Sequence, residues 1–144
     1  MKPHMSYLQK HPSITRSRVS NFVNDNYQWK DVNIQAVLYD VKASGEPHVQ
    51  LKVWSAPGQE RPTFEHAVKQ EFRPAKVGQM FGPSWTTHWF QVHVSIPAQF
   101  FGKPVQFLFD SSSEAMVWSA EGEPIMGLTG GNGGERHVDY ALTA

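Results

Sequence analysis

The sequence contains no cysteine and no excess of charge of either sign. With Cys 0 among 144 residues, disulfides and thiolate metal sites are excluded, and the composition is compatible with a reducing compartment. Thirteen Lys and Arg balance thirteen Asp and Glu, and no basic stripe interrupts the chain. The electrostatic footprint of a nucleic-acid-binding protein is therefore missing, and we expect no nucleic-acid partner.

Long apolar runs are missing as well. No run approaches the roughly 18 residues that would span a bilayer. Residues 1–10 (MKPHMSYLQK) lack the apolar core of a signal peptide. We therefore expect a soluble, unprocessed chain with no membrane partner.

The residues that are abundant favour a β-rich domain. Eleven Gly and ten Pro lie between short alternating segments, which is typical of strands joined by turns. Aromatic residues make up 12% of the chain and include five Trp, which supply core volume and flat faces for sugar stacking. A single domain of this length buries roughly 68–70% of the surface that its unfolded chain exposes, so it needs no disulfide to be stable.

Residues 82–110 carry the clearest pattern. From residue 90 to residue 96, apolar side chains occupy every second position, which predicts a half-buried strand. Pro97 ends this strand because it cannot donate a ladder hydrogen bond, and residues 102–104 form a turn. A second alternating run then begins at Val105. The segment therefore predicts two strands and a short connection.

The rest of the chain divides into a helical and a β-rich part. Ser13 is a predicted N-cap for a helix over residues 13–24. Asp31 is a predicted N-cap for a second, short helix, which carries Ile34, Val37 and Leu38 on one face. The apolar faces of these helices need a surface to cover them: the sandwich, another domain or a subunit. Beyond residue 40 we predict one helical turn, at 63–68, and further strands at 49–53, 71–75, 114–118, 124–128 and 136–142. The interpretation is a helical arm, 1–40, and a β-sandwich, 41–144.

Histidine and carboxylate patterns give no clear catalytic site. The closest His pairs are His88 with His93 and His4 with His11, and an odd separation on a strand places two side chains on opposite faces. We therefore predict no metal site, and His88 as a hydrogen-bonded member of the core face. No two carboxylates are fixed together as glycoside hydrolysis requires, and no serine nucleophile motif is present.

Two loops have both a structural and a functional interpretation. Residues 110–114 (DSSSE) form a polar turn that is explained by Asp and Ser turn chemistry or by contact with sugar hydroxyls. Residues 127–134 are rich in glycine but lack the Lys and the following helix of a phosphate-binding loop. They form either a surface loop or the edge of an interdomain contact, where Arg136 would pair with a carboxylate across the boundary.

Several segments resemble one enzyme family. The likeness lies in LKVWSAPG, FGPSWTTHWF, SEAMVW and GLTGGNGGER, at residues 51–58, 81–90, 113–118 and 127–136, and extends to 14–19 and 72–78. These segments resemble the N-terminal region of family 38 glycoside hydrolases, in the cytosolic and vacuolar α-mannosidase branch. A weaker likeness to the sugar-binding sandwich of β-galactosidase-like hydrolases implies a mainly β fold: a galactose-binding-like jelly-roll β-sandwich with a short N-terminal helical segment.

The resemblance implies a parent enzyme that cleaves terminal α-mannosides of free oligosaccharides and N-glycans with retention. Its Asp nucleophile and zinc ion belong to a catalytic domain further along the family's chain, so no catalytic residue, metal ligand or cofactor is expected here. The implied role is a non-catalytic N-terminal domain whose partners are its own catalytic domain, sister subunits and a selective-autophagy receptor. The implied localisation is cytoplasmic, with vacuolar delivery in fungi, and the alternative role is a carbohydrate-binding module.

Eight residues are candidates for an interface or a sugar contact. Trp85 and His88 lie at the entrance of the strand predicted from residue 90, and the others lie in the two loops described above. The candidates are Trp85, His88, Asp110, Glu114, Thr129, Gly130, Gly131 and Arg136.

Overall fold

A computed structural model describes residues 11–23, 33–131 and 136–142 of the chain. The backbone separates into two compact units, Met1–Lys42 and Ala43–Ala144. The first unit contains helix α1, Pro12–Val23, and the short helix α2, Ile34–Val37, so the prediction of two helices is confirmed. The predicted N-cap of the second helix, Asp31, lies outside the described residues.

The start of α1 differs from the prediction. The carbonyl of His11 accepts the first helical hydrogen bond from Thr15 N at 3.1 Å, which makes His11 the N-cap. Pro12 then occupies the first helical position, where its missing N–H has no cost. The prediction of Ser13 as the N-cap is therefore wrong, because the fixed φ of Pro12 starts the helix there and the N-cap lies two residues earlier.

The first unit leaves its apolar side chains uncovered. No residue of α1 is buried, and the side chains of Ile14, Val19 and Phe22 are all exposed. A polar contact joins α1 to the residue that precedes α2: the buried Asn33 side chain donates from Nδ2 to the carbonyl of Asn21 at 2.8 Å. The covering surface that the helical pattern requires is thus not supplied within the described part of this unit.

The second unit consists mainly of strands, as predicted. One short helix, α3 (Phe64–Ala67), and one 3-10 turn, Ala98–Phe100, interrupt them. The strands are β1 Val49–Ser55, β2 Arg73–Ala75, β3 His88–Val94, β4 Val105–Leu108, β5 Glu114–Trp118, β6 Pro124–Thr129 and β7 Asp139–Leu142.

The strands form three small antiparallel sheets in the orders β2-β1-β3, β4-β7 and β5-β6. In the first sheet, Val53 lies opposite Phe90 and Trp54 lies opposite Trp89. Strands β3 and β4 are neighbours in sequence but belong to different sheets. The connection between them contains Pro97, the 3-10 turn and Gly102, whose φ of 74° turns the chain toward β4.

Two aromatic clusters lie on opposite faces of β3, because consecutive strand residues point in opposite directions. The phenylalanine cluster links β3 to β4: Phe90 contacts Phe81 and Phe109 at ring-centroid distances of 5.2 and 5.5 Å, and Phe109 contacts Phe107 at 6.2 Å. Its face continues into the buried Val53 of β1.

The tryptophan cluster links α3, β3 and β5 on the other face. The ring of Phe64 contacts Trp89 at 6.2 Å and Trp118 at 5.8 Å, and the two Trp rings are 5.7 Å apart. Gly122, with a φ of 92°, lies against Phe64 so closely that an added Cβ would come within 2.7 Å of the ring. The turn between β5 and β6 therefore closes over this cluster.

Candidate functional site

The eight candidate residues fall into two groups in the structure. Six lie around the carboxylate of Asp110 or on the strand pair beside it: Asp110, Glu114, Thr129, Gly130, Gly131 and Arg136. The other two, Trp85 and His88, lie at the entrance of β3.

The carboxylate of Asp110 joins two loops. Its Oδ1 accepts hydrogen bonds from the backbone N–H groups of Ser112, at 2.9 Å, and Gly131, at 3.4 Å. Its Oδ2 pairs with Nη2 of Arg136. We call this set of Asp110, Ser112, Gly130, Gly131 and Arg136 the Asp110 clasp. Both carboxylate oxygens are occupied by the protein itself, which favours a role in loop closure over a role in binding sugar hydroxyls.

Gly130 is part of the clasp because no larger residue fits beside the carboxylate. A Cβ at this position would lie 2.5 Å from Oδ1 of Asp110 and 2.8 Å from the backbone nitrogen of Ser112. The N–H of Gly130 donates to the carbonyl of Ser113 at 2.9 Å, which holds the two loops at this short separation. Ser112 itself has a φ of 56°, a left-handed conformation that the Asx-type bond to Asp110 supports.

Glu114 and Thr129 extend the clasp into the β5-β6 sheet, where they lie directly opposite each other. Thr129 also exchanges two backbone hydrogen bonds with His137, at 2.7 and 2.9 Å. The segment that leads to β7 is therefore attached to β6 as well as to Asp110.

The structure bears on both loops. Turn chemistry at residues 110–114 is confirmed by the Asp110–Ser112 bond and by the bond from Ser111 Oγ to the carbonyl of Ser113, at 2.9 Å. Arg136 was expected to pair across a domain boundary, but its carboxylate partner, Asp110, lies within the same unit. Sequence reasoning missed Ser112 and His137, because only the folded chain brings residues 110–113 next to 129–137.

The second group contains one exposed and one half-buried side chain. Trp85 is exposed and has a φ of 70°, which is sparsely populated by residues other than glycine. His88 lies opposite Ser55 in the sheet; a hydrogen bond of 2.8 Å joins its Nδ1 to Ser55 Oγ, and its ring packs 5.1 Å from Phe81. Burial lowers the pKa of His88 below its ordinary value of 6.5, so the ring is neutral at pH 7. The predicted hydrogen bond of His88 is present, but its side chain is half-buried and does not belong to the buried core.

No described residues assemble a metal centre. Across residues 11–23, 33–131 and 136–142, no group of three or more His, Asp or Glu side chains is placed to hold an ion. His88 and His93 pair with Ser55 and Gln50 of β1 and are five residues apart on β3. Because this separation is odd, their side chains lie on opposite faces of the strand, as the spacing predicts. His4 lies outside the described residues.

Trp89 and Trp118 pack against other aromatic rings of the domain. Both lie against Phe64 in the tryptophan cluster, and Nε1 of Trp89 is buried with no acceptor in the described part of the chain. Trp85, in contrast, is 74% exposed. In the same described residues, no helix combines the length and apolar character that crossing a bilayer demands.

The antiparallel sheets, the two aromatic clusters and the clasp between loops define a β-rich domain, and the family match places it in the jelly-roll class. Residues 46–144, which include every described strand, match the family "Alpha-mannosidase, jelly roll domain". The chain belongs to this family. The predicted jelly-roll fold and the resemblance to α-mannosidases are thereby confirmed.

Relatives match nearly the whole chain. Alpha-mannosidase G of Dictyostelium discoideum is 32% identical over 135 residues, which cover 94% of this chain and 12% of that protein. Human Alpha-mannosidase 2C1 is 38% identical over 134 residues, covering 93% of this chain and 12% of the relative. Alpha-mannosidase of Saccharomyces cerevisiae is 31% identical over 148 residues, covering 90% and 13%. The chain therefore spans only about one eighth of the length of these relatives.

Proposed function

We propose that this chain is the non-catalytic N-terminal domain of an α-mannosidase and that it serves subunit assembly and interdomain packing. The family match across the β-rich unit supports the assignment to an α-mannosidase. The relatives are named as α-mannosidases, and in each of them the matching segment is a small part of a much longer polypeptide.

The observation that carries the packing role is the large amount of apolar surface left uncovered. On strands β5 and β6, the face opposite the buried Leu128 leaves apolar side chains uncovered, since Met116 and Ile125 are exposed on or beside it. Exposed apolar patches of this kind mark protein contacts, and contacts between domains of one chain are the simplest way to cover them.

The chemistry of the parent enzyme is a further part of the proposal and rests on the resemblance alone. It is the retaining hydrolysis of terminal α-mannosides, with an Asp nucleophile and a zinc ion in a separate catalytic domain. The described residues of this chain do not fit a zinc site, since no cluster of ligands is present among them. No step of the reaction is therefore assigned to this chain.

The test compares the full-length protein with a variant that lacks residues 43–144. We expect deletion to lower the melting temperature and to change the oligomeric state measured by light scattering. The 144-residue chain alone should not hydrolyse an aryl α-mannoside when zinc or cobalt is supplied. A deletion variant with unchanged stability and assembly would contradict the packing role, and turnover by a preparation of the chain free of catalytic-domain contamination would contradict the non-catalytic role.

Carbohydrate binding is the alternative, and the exposed ring of Trp85 is the observation that favours it. The occupied carboxylate of Asp110 and the packing of Trp89 and Trp118 within the tryptophan cluster argue against a wider sugar site. Calorimetry with mannose and mannose oligosaccharides decides between the two roles. Heat of binding that disappears in Trp85→Ala would favour the alternative, and no heat at millimolar sugar would eliminate it.

The proposal also includes a cytoplasmic location and, if the source is a fungus, delivery to the vacuole by a selective-autophagy receptor. The support for these points is the resemblance to the cytosolic and vacuolar branch. Imaging of the fluorescently tagged full-length protein, with and without residues 43–144, tests them. Vacuolar delivery that survives the deletion would show that this domain is not what the receptor recognises.

A further inference from the structure

The loop between β2 and β3 exposes three large apolar side chains almost completely. Val77 is 86% exposed, Met80 90% and Trp85 74%. We call these three residues the apolar tip. From residue 77 to residue 87 the chain contains no charged residue. Three exposed large apolar side chains within nine residues, with no charged residue between them, favour an interaction site over a free protein surface.

The loop is built to hold the apolar tip outward. Two hydrogen bonds of 3.1 Å close a turn at the start of the loop. Gln79 N donates to the carbonyl of Lys76, and Lys76 N donates to Oε1 of Gln79. A second turn is closed by Thr86 N, which donates to the carbonyl of Pro83 at 3.3 Å. Between these turns Phe81 points the other way, onto His88 and Phe90. One aromatic side chain thus anchors the loop to the domain while its neighbours face solvent.

Trp85 has a φ of 70°, a left-handed conformation that is energetically unfavourable for any residue with a Cβ atom. Such conformations persist where the surrounding structure imposes them, and they are concentrated at binding sites. The consequence here is that the largest side chain of the loop is presented outward in one fixed backbone conformation. Trp is enriched among the residues that contribute most binding energy at protein interfaces, and preorganisation lowers the cost of binding.

The chemistry of the loop selects the kind of partner. A sugar site needs charged or amide side chains beside the aromatic ring. The charged side chain of this loop, Lys76, lies at its start, nine residues before Trp85. The single amide of the loop, Gln79, is bonded to the backbone of Lys76. An apolar, uncharged protein surface is the complementary partner.

We propose that the apolar tip docks onto an apolar surface of the remaining polypeptide of the α-mannosidase, in the same chain. This inference rests on the function proposed above and names the surface that performs it. The matching segment makes up only 12% of the Dictyostelium and human relatives, so a large body of additional polypeptide is joined to it there. A tethered partner is present at an effective concentration in the millimolar range, which favours contact within the chain over contact with a free protein.

The first experiment is hydroxyl-radical footprinting of the full-length protein, with oxidation of Met80 and Trp85 measured by mass spectrometry. Phe101 is the internal control, because it is 93% exposed and lies on a different connection, between β3 and β4, two residues before the charged Lys103. Docking predicts slow oxidation of Met80 and Trp85 and fast oxidation of Phe101, relative to their intrinsic reactivities. Oxidation of Met80 and Trp85 at the full rate for solvent-exposed side chains would overturn the proposal.

The second experiment uses the variant Met80→Ser/Trp85→Ser, with Phe101→Ser as the matched control. Loss of a central Trp anchor raises the undocked population by about 30-fold or more, which limited proteolysis measures as faster release of the domain. The control should be released at the wild-type rate. Equal release rates for the double variant and the wild type would contradict the proposal, even if footprinting showed protection.

Two further outcomes separate the causes of failure. If deletion of residues 43–144 destabilises the full-length protein while Met80 and Trp85 oxidise freely, the packing function stands and this surface is not the one used. If the deletion has no effect, the packing function itself fails. Protection of Met80 and Trp85 that is lost on dilution would identify a second copy as the occupant and would overturn docking within one chain.

Discussion

Gly130 provides the sharpest test of the structure, because the space beside it is already filled. In Gly130→Ala, the new Cβ would lie 2.5 Å from Oδ1 of Asp110 and 2.8 Å from the nitrogen of Ser112. Distances this short are not tolerated, so the carboxylate of Asp110 and the backbone of the 110–113 loop must move away from residue 130. That movement stretches the bonds from Asp110 to Ser112 and Gly131.

The size of the effect follows from these contacts. Overpacking a site lowers the free energy of unfolding by about 1–3 kcal/mol. Because the hydrogen bonds of Asp110 are partly exposed, we expect a value in the middle of this range, about 2 kcal/mol. Replacing Gly by Ala also reduces the entropy of the unfolded chain, which returns roughly 0.5 kcal/mol. We therefore expect Gly130→Ala to lower the free energy of unfolding by about 1.5 kcal/mol.

Gly127 is the matched control, since it lies three residues earlier and no atom lies within 4 Å of the place that an added Cβ would take. Gly127→Ala should be neutral or stabilising by roughly 0.5 kcal/mol. Urea unfolding followed by tryptophan fluorescence measures both variants, because Trp89 and Trp118 lie in one aromatic cluster. Equal midpoints for Gly130→Ala and Gly127→Ala would refute the close approach between the two loops.

Further predictions concern the clasp, the pH dependence and the aromatic residues. Arg136→Ala should lower the free energy of unfolding, measured in urea, by at most about 1 kcal/mol, because its ion pair is exposed. Asp110→Ala also leaves two backbone N–H groups without their acceptor and should lower it by about 2 kcal/mol. Equal losses in the two variants would contradict this. Because the pKa of His88 is lowered in the folded state, the unfolded chain binds its proton first, so stability should fall as pH drops below 6.5. Between pH 5 and 7, the free energy of unfolding should depend less on pH in His88→Gln than in the wild type. An unchanged pH dependence would contradict a lowered pKa of His88. Phe64→Ala should lower the unfolding free energy by about 2–3 kcal/mol through loss of its Trp contacts, while Trp85→Ala should change it by less than about 0.5 kcal/mol in the 144-residue chain.

The sequence predicts the strands well where the side-chain alternation is local. The strand predicted at 114–118 has the same bounds as β5, and the strand predicted from residue 90 is β3, which begins two residues earlier. Pro97 and the turn at 102–104 separate β3 from β4 as expected. Period-two alternation depends only on which face of a strand is buried, so one sequence is enough to detect it.

Contacts between distant segments are less accessible to sequence reasoning. Asp110 and Arg136 are both recognisable as candidate residues, but their pairing across 26 positions depends on how the loops meet. The close approach at Gly130 is of the same kind, because a glycine that makes room for a neighbour looks like any other glycine in the sequence. The exposure of Trp85, in contrast to Trp89, likewise follows from the loop conformation and not from residue type.

The pairing of β4 with β7 has a consequence for the order in which the domain can form. Val105 pairs with Leu142 and Leu108 with Asp139, so β4 obtains its partner only from a segment about thirty residues further along the chain. During synthesis, the edge of β4 therefore emerges from the ribosome well before β7 and carries unpaired backbone groups until β7 arrives. A translation pause within this interval would leave an open edge available for pairing with another nascent chain, so the speed of elongation between these two strands bears directly on the yield of folded protein.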